Sequence, residues 1–434
     1  MIFMFSKLIN LFKKPKPKGF SSQELEAFAR GVVQNEQQTL ARNQAAKESA
    51  APYVRLTPSN QPEVDSAGWF GGAPRLPKGF IWPDISGKPG IFVCQIDLAK
   101  LPKDIWSGVG PRHGFFAFFL NLEGSQAHVA HVDADLMSQQ GPEYTDTYWA
   151  RPAKGTDAAT AAHAPEWAVT ATCHSGPPPA PAGFRLGKHP DFPDPRSNEV
   201  LNLADAAFHP INADTFNALI DGIEENISQR KKLVTSFLSK SLKDDDRKTL
   251  EDYAATMQAT AKQFQDIKAE LAPYLENYDG AKIAPFLSKI GDLPLRGFRF
   301  LDTDANGVAE LDLHEYQVSG AHPVFSQSWQ TAYLGALYDH GRYAPAALPA
   351  PQRARLEAIW ALEAQYETGS MGDAPQGHIY TPHGPASKNE VLLELKTSNL
   401  LGWCWGDMYS IVFLISRADL AKGRYDRIII DITN

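Results

Sequence analysis

The sequence has little cysteine, no surplus of positive charge and no long apolar run. Its three cysteines, Cys94, Cys173 and Cys404, lie far apart and form no Cys-x-x-Cys pair. That argues against a disulfide framework and a paired-cysteine zinc site, and suits a reducing compartment. A cytoplasmic location is the expectation. With 42 Lys and Arg against 50 Asp and Glu, the net charge is −8, whereas a nucleic-acid binder wants a basic face. Catalytic signatures are missing as well. There is no Gly-x-Ser-x-Gly elbow, no His-Glu-x-x-His, no complete phosphate loop and no dinucleotide fingerprint behind a strand. These absences lower the expectation of an enzyme without excluding one, because catalytic groups can converge from distant positions. No cofactor and no metal is expected.

What is present is an ordinary globular composition. Of 434 residues, 43% are hydrophobic and 21% charged, enough for one large domain or two to three ordinary ones. Residues 1–20 carry a short apolar run broken by Lys7, far below the ~20 residues of a membrane span. Lys13, Lys14, Lys16 and Lys18 follow that run, whereas a signal peptide has its charges in front. A helix docked on the body or a frayed end is the leading reading, and contact with anionic lipid the lesser one. Residues 22–48 read as a polar helix with one apolar side. Together they make residues 1–50 an N-terminal helical extension of a domain spanning 51–434.

The chain is organised around residues 66–120. Pro74, Pro77 and Pro83 restrict the backbone there and push preceding residues away from helix. Gly71 and Gly72 admit conformations closed to other residues. The expectation is a rigid extended loop bearing Trp69, Phe70, Phe80 and Trp82. Residues 91–98 then read as a strand covered on both faces, and 114–120 as a second, aromatic one. A similar pair recurs near the C-terminus, with strands at 391–395 and 409–415 around a loop holding Trp403, Trp405 and Gly406. Gln95-Ile96-Asp97 falls opposite Glu394-Leu395-Lys396. This spacing suggests two related sheet units whose aromatic loops face one cleft. The fold class is thus α+β, β-rich, with a helical hairpin inserted at 213–278.

The Gly-Gly-x-Pro, Trp-Pro, Gln-Ile-Asp-Leu and Gly-x-x-x-Phe-Phe run of 71–119 resembles the YwqG-like family, a bacterial domain of unknown function. Residues 391–420, with the Trp-Gly-Asp turn at 405–407, are similar to that family's ending. The resemblance implies a shared domain but no activity. Its second unit often carries an acid where this chain has Lys396, so a symmetric pair of carboxylates for acid–base work is not expected.

Between the two ends, the helical hairpin carries one stripe of Phe216, Leu219, Ile220, Ile223 and Ile227, extended by Leu233 and Phe237. A second stripe runs Leu250, Tyr253, Met257, Phe264, Ile267, Leu271 and Tyr274, with Thr260 its polar member. Folding back onto the sheets is preferred over a free partner-binding arm. Residues 302–307, Asp-Thr-Asp-Ala-Asn-Gly, begin like a calcium loop but carry Leu313 where the twelfth-position Glu belongs. A β-hairpin turning at 305–307 explains them better. His128, His131 and Asp133 cannot share one strand face, so a polar strand edge is preferred over a metal site. A helix follows at 351–367.

Function is expected to be binding, of a protein or a small-molecule ligand, through Trp69, Trp82, Gln95, Asp97, Trp403, Trp405 and Asp407. The alternative is a small-molecule enzyme with Asp97 or Asp407 in a cleft, although an aspartate after a strand or in a glycine turn commonly bonds its own backbone.

Overall fold

A computed structural model describes residues 52–59, 65–133, 136–139, 141, 149–150, 164–175, 199–274, 278–303, 307–320, 328–366, 369–372, 379, 381–383, 387–406 and 409–433. The expected N-terminal extension, residues 304–306 of the calcium-like turn and Asp407 lie outside them. In chain order the strands are β1 (Tyr53–Ser59), β2 (Gly68–Phe70), β3 (Arg75–Pro77), β4 (Asp84–Ile85), β5 (Lys88–Pro89), β6 (Ile91–Asp97), β7 (Phe115–Leu120) and β8 (Ala127–Val132). They continue with β9 (Leu136–Ser138), β10 (Trp167–His174), β11 (Pro294–Thr303), β12 (Ala309–Gln317), β13 (Gly369–Gly372), β14 (Asn389–Lys396), β15 (Ser410–Ser416) and β16 (Ile429–Ile432). The helices are α1 (Ala213–Leu238), α2 (Asp244–Leu271), α3 (Gly280–Gly291), α4 (Ser328–Gly341), α5 (Ala350–Ala364) and α6 (Arg417–Ala421).

Ten strands form one antiparallel sheet in the order β16-β15-β14-β13-β1-β10-β2-β6-β7-β8. Counted outward from the central β1–β10 pair, both halves follow one pattern: a short glycine-flanked strand, a long buried strand, an apolar strand and an edge. The registers agree residue by residue. Trp69 lies opposite Gln95 as Ser370 lies opposite Glu394. Phe118 lies opposite Cys94 as Phe413 lies opposite Leu393, and the bulges fall at Val93 and Leu392. Gly71 and Gly372 close the two short strands at φ 65° and 99°. A Cβ there would lie 2.2 Å from the Pro165 carbonyl and 2.8 Å from the Pro52 carbonyl, so both positions require glycine. Thr57 of β1 pairs with Thr170 of β10, the point about which the two halves correspond.

The first strands are exchanged. Strand β1, which precedes β2 in the chain, pairs with β13 and β10, while β10 pairs with β2. The sheet also curls on itself, so Phe118 of β7 meets Phe413 of β15 edge-on at 5.2 Å between ring centroids. Its concave face holds the main core, including Val54, Leu56, Phe70, Ile96, Phe118, Met371, Leu395 and Phe413. Beta-branched and aromatic residues at every second position put these side chains on one face.

Helices α1 to α5 occupy the chain between β10 and β13, and α6 follows β15. As expected, Phe216, Leu219, Ile220, Ile223 and Ile227 are buried, as are Leu250, Tyr253, Met257, Phe264 and Leu271. Thr260 is buried too, and its hydroxyl donates to the Pro294 carbonyl at 2.8 Å, which accounts for a polar residue in that stripe. Two expectations need correction. The stripes pack not on the large sheet but against Leu201, Ile283, Leu287, Ile290, Tyr333 and Leu337, in a second core. The extension of the first stripe runs through buried Val234, with Leu233 exposed. Strands β11 and β12 pair as a two-stranded ribbon, as the hairpin reading requires, and Phe298 joins Tyr253 and Val234 in a small distal core.

If the Phe118–Phe413 contact ties the two halves together, Phe413→Ala should cost about 3–5 kcal/mol, the usual loss for a buried phenylalanine. Urea unfolding measures it. A loss of less than about 1 kcal/mol would show that the halves do not lean on this pair.

Candidate functional site

Residues 71–90 form a lid over the convex face of the first half-sheet, whereas Trp69 and Phe70, expected on the same loop, belong to strand β2 of the sheet itself. Trp69, Leu76, Ile85, Phe92, Ala117, Phe119 and Ala130 make a compact cluster there, with Phe80 and Trp82 against its rim. Gln95 anchors the lid. Wholly buried, it accepts from the Arg75 backbone N–H at 2.9 Å and donates to the Arg75 carbonyl at 2.9 Å. A primary amide is the one side-chain group able to imitate a neighbouring strand in this way. The Arg75 guanidinium lies 4.0 Å from the Trp69 ring centre and pairs with Glu166 at 3.0 Å. Trp69 is buried and donates its indole N–H to Ala73.

The C-terminal aromatic loop is equally interior. Trp403 and Trp405 are buried, Trp405 stacks on Trp149 at 4.9 Å and donates to the Lys396 carbonyl, and Trp403 packs against Phe70. Three of the four indoles that sequence reasoning placed on binding loops therefore sit in cores. Trp82 is half-buried. It donates to the Gly90 carbonyl at 2.7 Å and stands edge-on to Phe119 at 5.3 Å. Between Phe80 and Trp82, Ile81 is 90% exposed. Asp97 spends a carboxylate oxygen on the Ala99 backbone N–H at 2.9 Å, capping a single 3₁₀ turn. This is the backbone role that its position after a strand suggested.

Sequence reasoning missed the corner joining the two half-sheets. Trp106 (φ 53°, ψ 42°) and Ser107 (φ 57°, ψ 30°) are both left-handed, a conformation that costs each about 1–3 kcal/mol unless the surroundings impose it. They do. The Trp106 indole donates to the Val391 carbonyl at 2.9 Å, and Ser107 donates to Glu390 at 3.0 Å. Arg417 donates to that same Glu390 oxygen at 2.6 Å. Arg112 clasps the loop from within, donating to the carbonyls of Lys103, Ile105, Gly110 and Pro111. No local signal marks this corner, because its partners lie nearly three hundred residues away.

His128 and His131 lie on β8, and among the described residues no three metal-ligating side chains converge. The His131 ring contacts the His113 carbonyl at 2.9 Å, and His113 approaches Asp133 at 3.6 Å. Burial lowers the His128 pKa from 6.5, opposed in part by the charge of Asp426, and burial likewise lowers that of His209. A histidine depressed in the folded state adds stability that is complete above its unfolded pKa and lost as pH falls through the folded value.

Two outcomes follow. Gln95→Leu, which removes the partner of both Arg75 backbone groups, should cost about 1–3 kcal/mol in urea unfolding. A neutral result would mean that the amide does not hold the lid. His128→Gln should flatten the fall in melting temperature below pH 6.5, leaving the part due to His209. An unchanged slope would remove His128 from the acid sensitivity.

No curated protein matches the chain. A family model described as Domain of unknown function (DUF1963) matches residues 69–433. That span starts within β2, after β1, and runs through the remaining strands and the helices to just past β16. The chain belongs to the DUF1963 domain family.

Proposed function

We propose that the protein is a binding protein and that the lid loop, residues 78–83, is its contact surface for a protein partner. The exposure of Ile81 carries this reading. An isoleucine 90% exposed between two anchored aromatic rings is held out by a stiff loop rather than left at a frayed end. Phe80 stacks on Phe119 at 6.4 Å and its backbone N–H bonds Pro77, while Trp82 is fixed through Gly90. Met137, half exposed opposite Leu76 on the strand paired with the lid's β3, adds apolar area to the lid. A preordered aromatic rim around one projecting aliphatic group suits an anchor that fills an apolar pocket. Kinship with the YwqG-like family and descent of the two half-sheets from one unit belong to the same proposal. The enzymatic alternative draws less support, since Asp97 is occupied as a cap.

A photoreactive amino acid at position 81, introduced in the organism's own cells, tests the reading. Irradiation should give one discrete cross-linked partner, absent when the label sits at Val200, which is exposed but remote from the lid. Ile81→Asp should abolish co-purification of that partner and leave the melting temperature unchanged. Cross-linking no more discrete at 81 than at 200 would overturn the proposal.

A further inference from the structure

We propose that the groove between α1 and α2 binds a small amphipathic anion, a monocarboxylate with a short apolar body, and that Lys231 and Lys232 meet its carboxylate. The groove belongs to the helical core and not to the large sheet, so this is independent of the lid-loop reading.

The cavity has a volume of about 330 Å³ and opens to solvent along the two helices. That falls in the range of roughly 300–1,000 Å³ typical of small-molecule sites. Side-chain size explains why it exists. Ser228 on α1 and Ala261 on α2 both line it, and residues this short leave a gap where the ridges of two packed helices would otherwise meet. Its floor is closed by Ile227 and Phe264, both buried members of the helical core. An apolar bed is therefore open to solvent between the helices.

The rim carries the charge. Glu224 is the acid of the wall, and both its oxygens are already engaged: one accepts from Lys268 at 2.6 Å, the other from Gln265 at 2.9 Å. The hydrogen bond from Lys268 holds this carboxyl below its usual range, so it stays ionised and paired. The next residue, Glu225, accepts instead from Gln229 at 2.8 Å. Lys231 and Lys232 also line the cavity, one helical turn from Ser228 and so on its side of α1. Among the described residues neither ammonium meets an acid or a hydrogen-bond acceptor. Arg230 beside them differs, since it bonds Tyr316. In a chain of net charge −8, two unanswered cations over an apolar bed are complementary to an anionic head on an apolar body. The lysine stems can lie along the apolar wall while their ammonium groups reach the head. A bare carboxylate would gain little from exposed lysines, so the body must supply most of the affinity. At this volume the body is one short chain or ring.

Isothermal titration calorimetry of the full chain with hexanoate and octanoate tests the proposal. Octanoate should bind saturably at one site per chain, and affinity should rise about fourfold for each methylene added. Lys231→Gln combined with Lys232→Gln, at exposed positions, should weaken octanoate binding about fivefold and remove its dependence on salt. Ala261→Phe fills the groove from one helix and Ser228→Leu from the other; either should abolish binding, so the test survives if one of them fails to fold. The proposal is overturned if octanoate shows no saturable binding at about 10 mM, well above a 1 mM dissociation constant. It is likewise overturned if affinity does not rise from hexanoate to octanoate, if the double glutamine variant binds as tightly as the parent, or if neither filling variant reduces binding.

Discussion

Seven consecutive residue pairs between β1 and β10, from Tyr53–His174 to Ser59–Ala168, are the seam on which the rest depends. Every other strand of the large sheet hangs from one side of it or the other. Because the first strands are exchanged, neither half closes on its own segment of chain. The seam is a mutual dependence rather than a boundary between two finished units. The Phe118–Phe413 contact on the concave side and the Trp106–Ser107 corner docked on Glu390 and Val391 join the two halves a second time, away from the seam strands themselves.

Given one scaffold used twice, the chemistry lies where the halves differ. At equivalent places the first half carries an indole and an amide, the second a hydroxyl and a carboxylate. An amide can donate and accept, so Gln95 satisfies a passing backbone completely. A carboxylate only accepts, so Glu394 cannot take up the same duty. The first half therefore holds its lid through Gln95, whereas in the second half Glu394 accepts the Ser370 hydroxyl and both are buried. The concave face is filled by the main core.

The sequence made the strands legible because their residues alternate or run apolar over short, turn-bounded stretches. The pairs at 91–98 with 114–120 and at 391–395 with 409–415 are present as β6–β7 and β14–β15, and their register correspondence was visible in Gln95-Ile96-Asp97 against Glu394-Leu395-Lys396. The helical stripes were legible for the same reason. What covers a stripe was not: periodicity says that Ile223 or Met257 is buried, never against what. The tryptophans misled because an indole's size makes it conspicuous in a loop, whereas its burial depends on distant partners such as Trp149 and Phe70. The equivalence of the two short strands gave no signal in single residues. The matching Gly-x-x-Gly frames at 68–71 and 369–372 would have aligned Ser370 with Trp69, and the strands opening Pro52 and Pro165 would then have aligned Arg55 with Ala168.

The exchange of first strands also sets an order of events during synthesis. Strand β1 leaves the ribosome early, but its partners are residues 168–174 and 369–372. Val54 and Leu56 must wait for both, and the second arrives after all the helices between β10 and β13. Long-range pairings of this kind fold slowly and leave apolar surface open meanwhile. The helices, with a core of their own, can form while β1 waits. The centre of the sheet, first to be made, is thus among the last parts to close, and the nascent chain carries an apolar strand open on its β13 side for most of its translation.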